Sequence, residues 1–249
     1  MNSLSDIFLQ AGQFHTIVII LLIGIYFVDR KVFLKVMAYM LGSTVINVIL
    51  KNIFKVPLKS HIKKDWYAFP SGHAQSSATF YGTIMTKLRN PLITMCCCLV
   101  IAGICWALVA HNYHDWIDVI AAVGVSALVI ILFNWVDRVI LKDNFMLFVL
   151  ILTIFSITIS HAIPAVGSHT WLSQGALIGL TATAVLERFI GFKSINPLID
   201  FLIALLGIIA IIGLFAKIGT VTYFMVVSKY ALVAFWGTYS PSLFASLRR

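Results

Sequence analysis

Long apolar runs broken by short polar segments recur along the whole chain. They lie near 9–28, 32–54, 72–88, 91–110, 116–135, 145–163, 171–190, 197–216 and 221–240. About 20 mostly apolar residues cross a bilayer as a helix, so the pattern predicts an all-α, polytopic integral membrane bundle of about nine spans. The run at 72–88 is short, and Tyr223, Lys229 and Tyr230 interrupt the last one. Neither an internal repeat nor a low-complexity linker divides the chain. Residues 1–143 are read as a helical core that carries the chemistry, and 144–249 as a C-terminal helical extension of the same bundle.

Composition agrees with this class. The 249 residues are 61% hydrophobic and only 11% charged, against roughly a quarter charged in soluble domains. The formal net charge is +9, which on a soluble chain would suggest nucleic acid. Here the basic residues sit in short loops between apolar runs, where they set topology, so no nucleic-acid partner is expected. Residues 1–13 lack a basic start and a cleavage pattern, so no signal peptide is expected. Cys96, Cys97, Cys98 and Cys105 share one apolar run without metal-ligand spacing and read as small apolar side chains.

Loop charge fixes an orientation. With the N-terminus outside, Arg30, Lys31, Lys35, Lys87, Arg89, Arg138, Lys142, Arg188, Lys193, Arg248 and Arg249 fall inside. Lys51, Lys55, Lys59, Lys63 and Lys64 crowd instead into one outer loop. An anionic ligand explains that exception; a solvated basic loop meeting anionic headgroups explains it too. The same parity puts the loops at 51–71 and 111–118 on one face of the membrane.

Those loops hold the candidate chemistry. In Phe69-Pro70-Ser71-Gly72-His73-Ala74-Gln75, Ser71 is a good N-cap for the apolar run that follows, and a helix start offers free N–H groups to an anion. His73 in that first turn can donate a proton. Taken alone, the four residues Pro70 to His73 also fit an ordinary turn before a membrane helix. The second cluster is His111-Asn112-Tyr113-His114-Asp115-Trp116-Ile117-Asp118. His114 and Asp118 are four apart and share a helix face; a carboxylate on one ring nitrogen leaves the other as nucleophile or base. Capping of an interfacial helix is the alternative use of these groups. Trp66, Tyr67, Tyr113 and Trp116 fit an aromatic belt or the lining of a headgroup pocket. His15, His61, His161 and His169 have no matched partner and read as interface residues, and Glu187-Arg188 reads as an inside-facing helix-end pair.

The ordered motifs resemble those of the phosphatidic acid phosphatase type 2 / vanadium haloperoxidase superfamily, whose signature runs Lys-x6-Arg-Pro, Pro-Ser-Gly-His, Ser-Arg-x5-His-x3-Asp. Pro70-Ser71-Gly72-His73 matches in full, His114 and Asp118 match the end of the third part, and Lys51 opens the first. Val45 to Phe54, Phe69 to Gly82 and Leu186 to Phe189 also look like bacterial integral-membrane lipid phosphatases.

The resemblance implies a membrane hydrolase that removes phosphate from a lipid phosphomonoester or diphosphate through a phosphohistidine. It implies His114 as nucleophile, Asp118 as its orienting carboxylate and His73 as acid and then base. Lys51, Ser71 and Gly72 would hold the phosphate, with no metal and no cofactor. The implied partners are a phosphorylated lipid and the bilayer, and the implied place is the periplasmic or outer face of a bacterial inner membrane.

The chain departs from the signature at two arginines. Leu58 and Lys59 stand for Arg-Pro, and Ala107 and Leu108 for Ser-Arg. Arginine grips phosphate bidentately and keeps its charge, so leucine is no mild replacement. Lys55, Lys59, Lys63, Lys64 and His111 are the candidate compensating cations. Two alternatives follow: a weakened or inactive relative that binds or moves phospholipid or serves in a membrane complex, and a phosphotransferase to a lipid acceptor.

Overall fold

The computed structural model describes residues 3–59, 66–164, 166–219 and 222–246. They form ten helices: α1 (Ser3–Ala11), α2 (Phe14–Ile23), α3 (Arg30–Phe54), α4 (Gly72–Leu88), α5 (Pro91–Ala110), α6 (Trp116–Trp135), α7 (Phe145–Ala162), α8 (Ser168–Phe189), α9 (Pro197–Ile218) and α10 (Tyr223–Ser246). Wider π-turns extend α2 over Gly24–Val28 and α6 over Val136–Ile140. Among the described residues the sole β feature is a bridge between Pro57 and Tyr67.

Short polar residues start the helices where the sequence places them. Asp29 caps α3 by accepting from the Val32 N–H at 3.0 Å, and Asn90 accepts from Leu92 and Ile93 at 2.9 and 3.2 Å ahead of Pro91. Asn144 and Asn196 do the same for α7 and α9. Eight of the nine predicted runs therefore correspond to α3–α10. The first run, 9–28, is broken: α1 and α2 meet at a 59° bend. Gly12 backs onto Ser77 there, and the Tyr81 hydroxyl donates to the Ala11 carbonyl at 2.8 Å.

Five helices are long and apolar enough to cross a membrane, or six if the bent α1–α2 pair counts as one span. This is fewer than the nine apolar runs: α4, α8 and α10 do not qualify, and of these α4 and α8 are interior helices. α4 lies among α3, α5 and α6 and buries an almost unbroken stretch from Ala74 to Ile84; α8 lies among α3, α7 and α10. Both carry polar residues inward instead of a lipid-facing apolar surface. Asn47 donates to Gln75 Oε1 at 2.8 Å, Gln75 Nε2 to the Ser43 carbonyl at 2.9 Å, Thr79 to Ser43 Oγ at 2.8 Å and Ser126 to the Gln75 carbonyl at 2.9 Å. Such links between membrane helices are each worth about 0.6 kcal/mol, and here they fix the register of α4 against α3 and α6.

The end of the bundle opposite α4's start is closed by ion pairs. Buried Asp137, on the π-turn after α6, meets Lys35 at 2.6 Å and Lys87 at 3.9 Å. Arg30 pairs with Glu187, donates to the Thr238 carbonyl at 2.6 Å and stacks on Phe192 at 3.6 Å. Glu187, read from sequence as half of a local pair with Arg188, therefore ties α8 to α3. Cys97 and Cys105 are buried, Cys96 and Cys98 exposed, and all four are free thiols.

α8 and α10 approach closely enough that a Cβ at Gly175 or Gly179 would run into the α10 backbone at Val227 and Ala231. Gly179→Leu is expected to destabilise the bundle by about 1–3 kcal/mol, whereas Gly213→Leu, where a Cβ meets nothing within 4 Å, leaves it unchanged. Thermal unfolding of the two variants in detergent checks this.

Candidate active site

The two sequence clusters meet at one end of the bundle. Ser71 caps α4, its Oγ accepting from the Ala74 N–H at 3.4 Å, and its own N–H donates to the Asp118 carbonyl at 3.2 Å. The turn around Pro70 is therefore bonded to the first turn of α6. Asn47 Nδ2 secures the same turn from α3 by donating to the Pro70 carbonyl at 3.2 Å. Gly72 faces α3: a Cβ there would stand 3.3 Å from Asn47 Oδ1 and 3.9 Å from Lys51 Cε.

The Asp118 carboxylate organises the second cluster. Its Oδ2 lies 3.1 Å from His114 Nδ1 and accepts from the Asp115 N–H at 3.2 Å. The Leu108 carbonyl holds the loop from the other side, accepting from the N–H groups of Tyr113 at 3.0 Å and His114 at 3.4 Å. His114 and Asp118 are each 8% exposed and Lys51 5%. Three ionisable groups thus sit in a desolvated pocket, an arrangement costly unless the groups are paired or used. Burial holds the His114 ring below its ordinary value of 6.5, with Lys51 and Lys59 adding to the effect; the Asp118 hydrogen bond and charge pull partly the other way. His114 is thereby neutral near pH 7, with Nδ1 directed to Asp118 and Nε2 as its remaining nitrogen.

The cations are distributed unevenly. Lys51 Nζ donates to the carbonyls of Tyr67 and, at 3.2 Å, Ala68, directly before the Pro70 turn. Lys59 reaches across to the second loop and binds Asn112 Oδ1 at 2.6 Å and Asp115 Oδ1 at 2.8 Å. Lys55 caps the end of α3 in a left-handed conformation and is exposed. His111 turns away from His114: its Nε2 lies 3.1 Å from Ser5 Oγ and 3.2 Å from Asp6 Oδ1 on α1, and its ring stacks on Tyr113. Lys63, Lys64 and His61 lie outside the described residues. Of the positions where the family signature has arginine, Leu108 is 3% exposed in the apolar core and Leu58 is half-buried.

Two further participants escaped the sequence reading. Asn47 precedes Lys51 by one helical turn, and that spacing of polar residues in an apolar helix was the available signal. His169, read as an interface residue, instead sets its ring 6.3 Å from that of His73, nearly perpendicular at 81°. A lone histidine gives no such signal in sequence.

The site is thus a buried imidazole–carboxylate pair set against a helix-start turn in a multi-helix membrane bundle. Residues 32–142, a segment of less than half the chain, match the family model described as PAP2 superfamily. It spans α3 to α6 and contains Lys51, Ser71, Gly72, His73, His114 and Asp118; α1, α2 and α7–α10 lie outside it. At the level of the superfamily this match supports chemistry of phosphatase type. Neither a curated protein nor a solved structure gives a significant match.

The lowered affinity of His114 for protons has a measurable sign. Its imidazole is expected to titrate below 6.5. Asp118→Asn, which removes the opposing charge, is expected to move that midpoint lower still, as read by histidine NMR of the detergent-solubilised protein.

Proposed function

We propose that the protein is a membrane lipid phosphate phosphatase working through a phosphohistidine at the outer leaflet. The observation that carries this reading is the Ser71–Asp118 backbone bond together with the His114–Asp118 contact. These contacts join His114, Asp118 and the start of α4, which supports reading them as nucleophile, orienting carboxylate and anion site. In the first step His114 Nε2 attacks phosphorus, the bond from phosphorus to the lipid oxygen breaks, and His73 gives that oxygen a proton. In the second, His73 takes a proton from water, whose oxygen attacks phosphorus; the P–N bond breaks and phosphate leaves. Lys51, the Ser71 hydroxyl and the N–H groups of the α4 start stabilise the charge on the phosphoryl oxygens.

The outer-face assignment is supported by loop charge. Lys35, Lys87 and Arg138 crowd at the end away from the site. The apolar setting of Leu108 supports a second reading, a weakened relative that holds phospholipid without turnover. Each lost transition-state donor typically costs about 2.7–4 kcal/mol, a factor of about 10²–10³ in rate, and Lys59 is already paired with Asp115.

Phosphate release by detergent-purified protein from phosphatidic acid, phosphatidylglycerophosphate and a polyprenyl diphosphate separates the two. Turnover is expected on at least one, with His114→Ala reduced to background and His73→Ala slowed by about 10²–10⁴. Absence of turnover on all three, or an active His114→Ala protein, sinks hydrolysis through His114. Lys59→Ala is expected to slow turnover less than His73→Ala, because its charge acts on His114 from a half-exposed position.

A further inference from the structure

α10 carries a charge that the chemistry above does not use. α8 and α10 run parallel, with Gly175 backing onto Val227 and Gly179 onto Ala231. α8 starts beside His73, so α10 starts at the same end of the bundle. Trp171 and Tyr223, in the first turns of these two helices, meet at 5.2 Å between ring centroids and mark the interfacial level there. Lys229 stands further in. Gly207, midway along the α9 span, backs onto Trp236, and Lys229 lies about two turns nearer the site end than Trp236. It therefore sits at a depth that α9 crosses. Its ammonium is half-buried and lies over the Tyr230 ring, 5.3 Å from the centroid. The described carboxylates at this end are engaged elsewhere: Asp6 with His111, Asp115 with Lys59 and Asp118 with His114. A charge at such depth is costly, and no ion pair among the described residues offsets this one.

Beside Lys229 a groove with about 590 Å³ of empty space opens between α2 and α10. Val18, Met40, Leu172, Ile208 and Val233 wall it, one from each of α2, α3, α8, α9 and α10. Phe14 and Tyr230 line it toward the site end, their rings edge to face at 5.6 Å. Lys229 precedes Val233 by one turn, on the same face of α10. Thr238, at the inner end, already donates to the Ala234 carbonyl at 2.7 Å, so the walls offer an occupant little but hydrocarbon.

We infer that this groove holds an acyl chain of an anionic phospholipid from the leaflet on the site side, with the lipid phosphate beside Lys229. An empty apolar groove forfeits its dispersion contacts, and in a bilayer the tail is the chain at hand to restore them. The lysine stem lies along apolar surface while its head rises towards the phosphate level. An anionic headgroup supplies the countercharge that the described residues do not; a zwitterionic one brings an ammonium of its own. None of the groove's walls belongs to the candidate active site, and the inference does not rest on the phosphatase reading.

The test uses the full-length protein in detergent with dioleoylphosphatidylglycerol and dioleoylphosphatidylcholine, which share their tails. Phosphatidylglycerol is expected to raise the unfolding temperature at lower concentration than phosphatidylcholine. Lys229→Gln is expected to weaken the apparent affinity for phosphatidylglycerol about fivefold, the worth of one lysine near an anionic headgroup, and to leave that for phosphatidylcholine unchanged. Lys229→Arg is expected to keep the preference. Equal titrations of the two lipids in wild type, or a preference that survives Lys229→Gln, overturn the inference. A second measurement places the tail. Phosphatidylglycerol with a photoactivatable diazirine in one acyl chain is expected to label Leu172 and Val233 in the wild type. Val18→Trp, which narrows the groove, is expected to remove that label. Labelling confined to the outward faces of α5, α6 and α9, or groove labelling that Val18→Trp leaves intact, overturns the inference.

Discussion

One residue joins the two halves of the site. The Asp118 carbonyl accepts the Ser71 N–H, while its carboxylate holds both the His114 ring and the Asp115 N–H. A backbone acceptor at a helix start is normally committed within its own helix or to water. Here it reaches α4, and the approach is secured from beneath by the Ser43–Asn47–Gln75–Ser126 contacts. Those contacts leave α4 one register against α3 and α6, because each buried amide that slipped would lose partners it cannot regain in lipid. The geometry of the imidazole therefore follows from polar packing directly beneath the turn.

The electrostatic character of the site follows from the same burial. Lys51 and His114 are both buried beside the Asp118 carboxylate, and Lys59 is bound to Asp115. Desolvation favours a neutral imidazole, the form the proposed nucleophile requires, and would strengthen every donor aimed at the proposed phosphate. The leucines at 58 and 108 put no fixed charge where the family signature has arginine. Leu108 shows why the substitution is tolerated by the fold. Its side chain completes the core, while its carbonyl keeps the task of holding the His114 loop.

The extension after α6 is part of the same body. Arg30 and Glu187 link α3 to α8 at one end, and Trp66 with Gly167 and His73 with His169 link the start of α4 to the start of α8 at the other. α8 thus stands beside the site along the full depth of the bundle, and the residues it brings there come from outside the family's shared segment.

How much of this the residues announced depends on range. Ser71 marked a helix start because capping is local, and the run 91–110 coincides with α5. His114 and Asp118 share a face by helical period alone, and loop parity put both clusters at one end, where the Ser71–Asp118 bond joins them. The break at Gly12 was not legible, because it answers to Ser77 and Tyr81 some 70 positions on. The interior place of α4 and α8, the turn of His111 towards Asp6 and the meeting of His169 with His73 were likewise hidden. Apolar length and short spacings by themselves determined a membrane bundle and its imidazole–carboxylate pair. Only tertiary structure decided which helices are shielded from lipid and which distant histidine meets His73, since those contacts join segments with no common period.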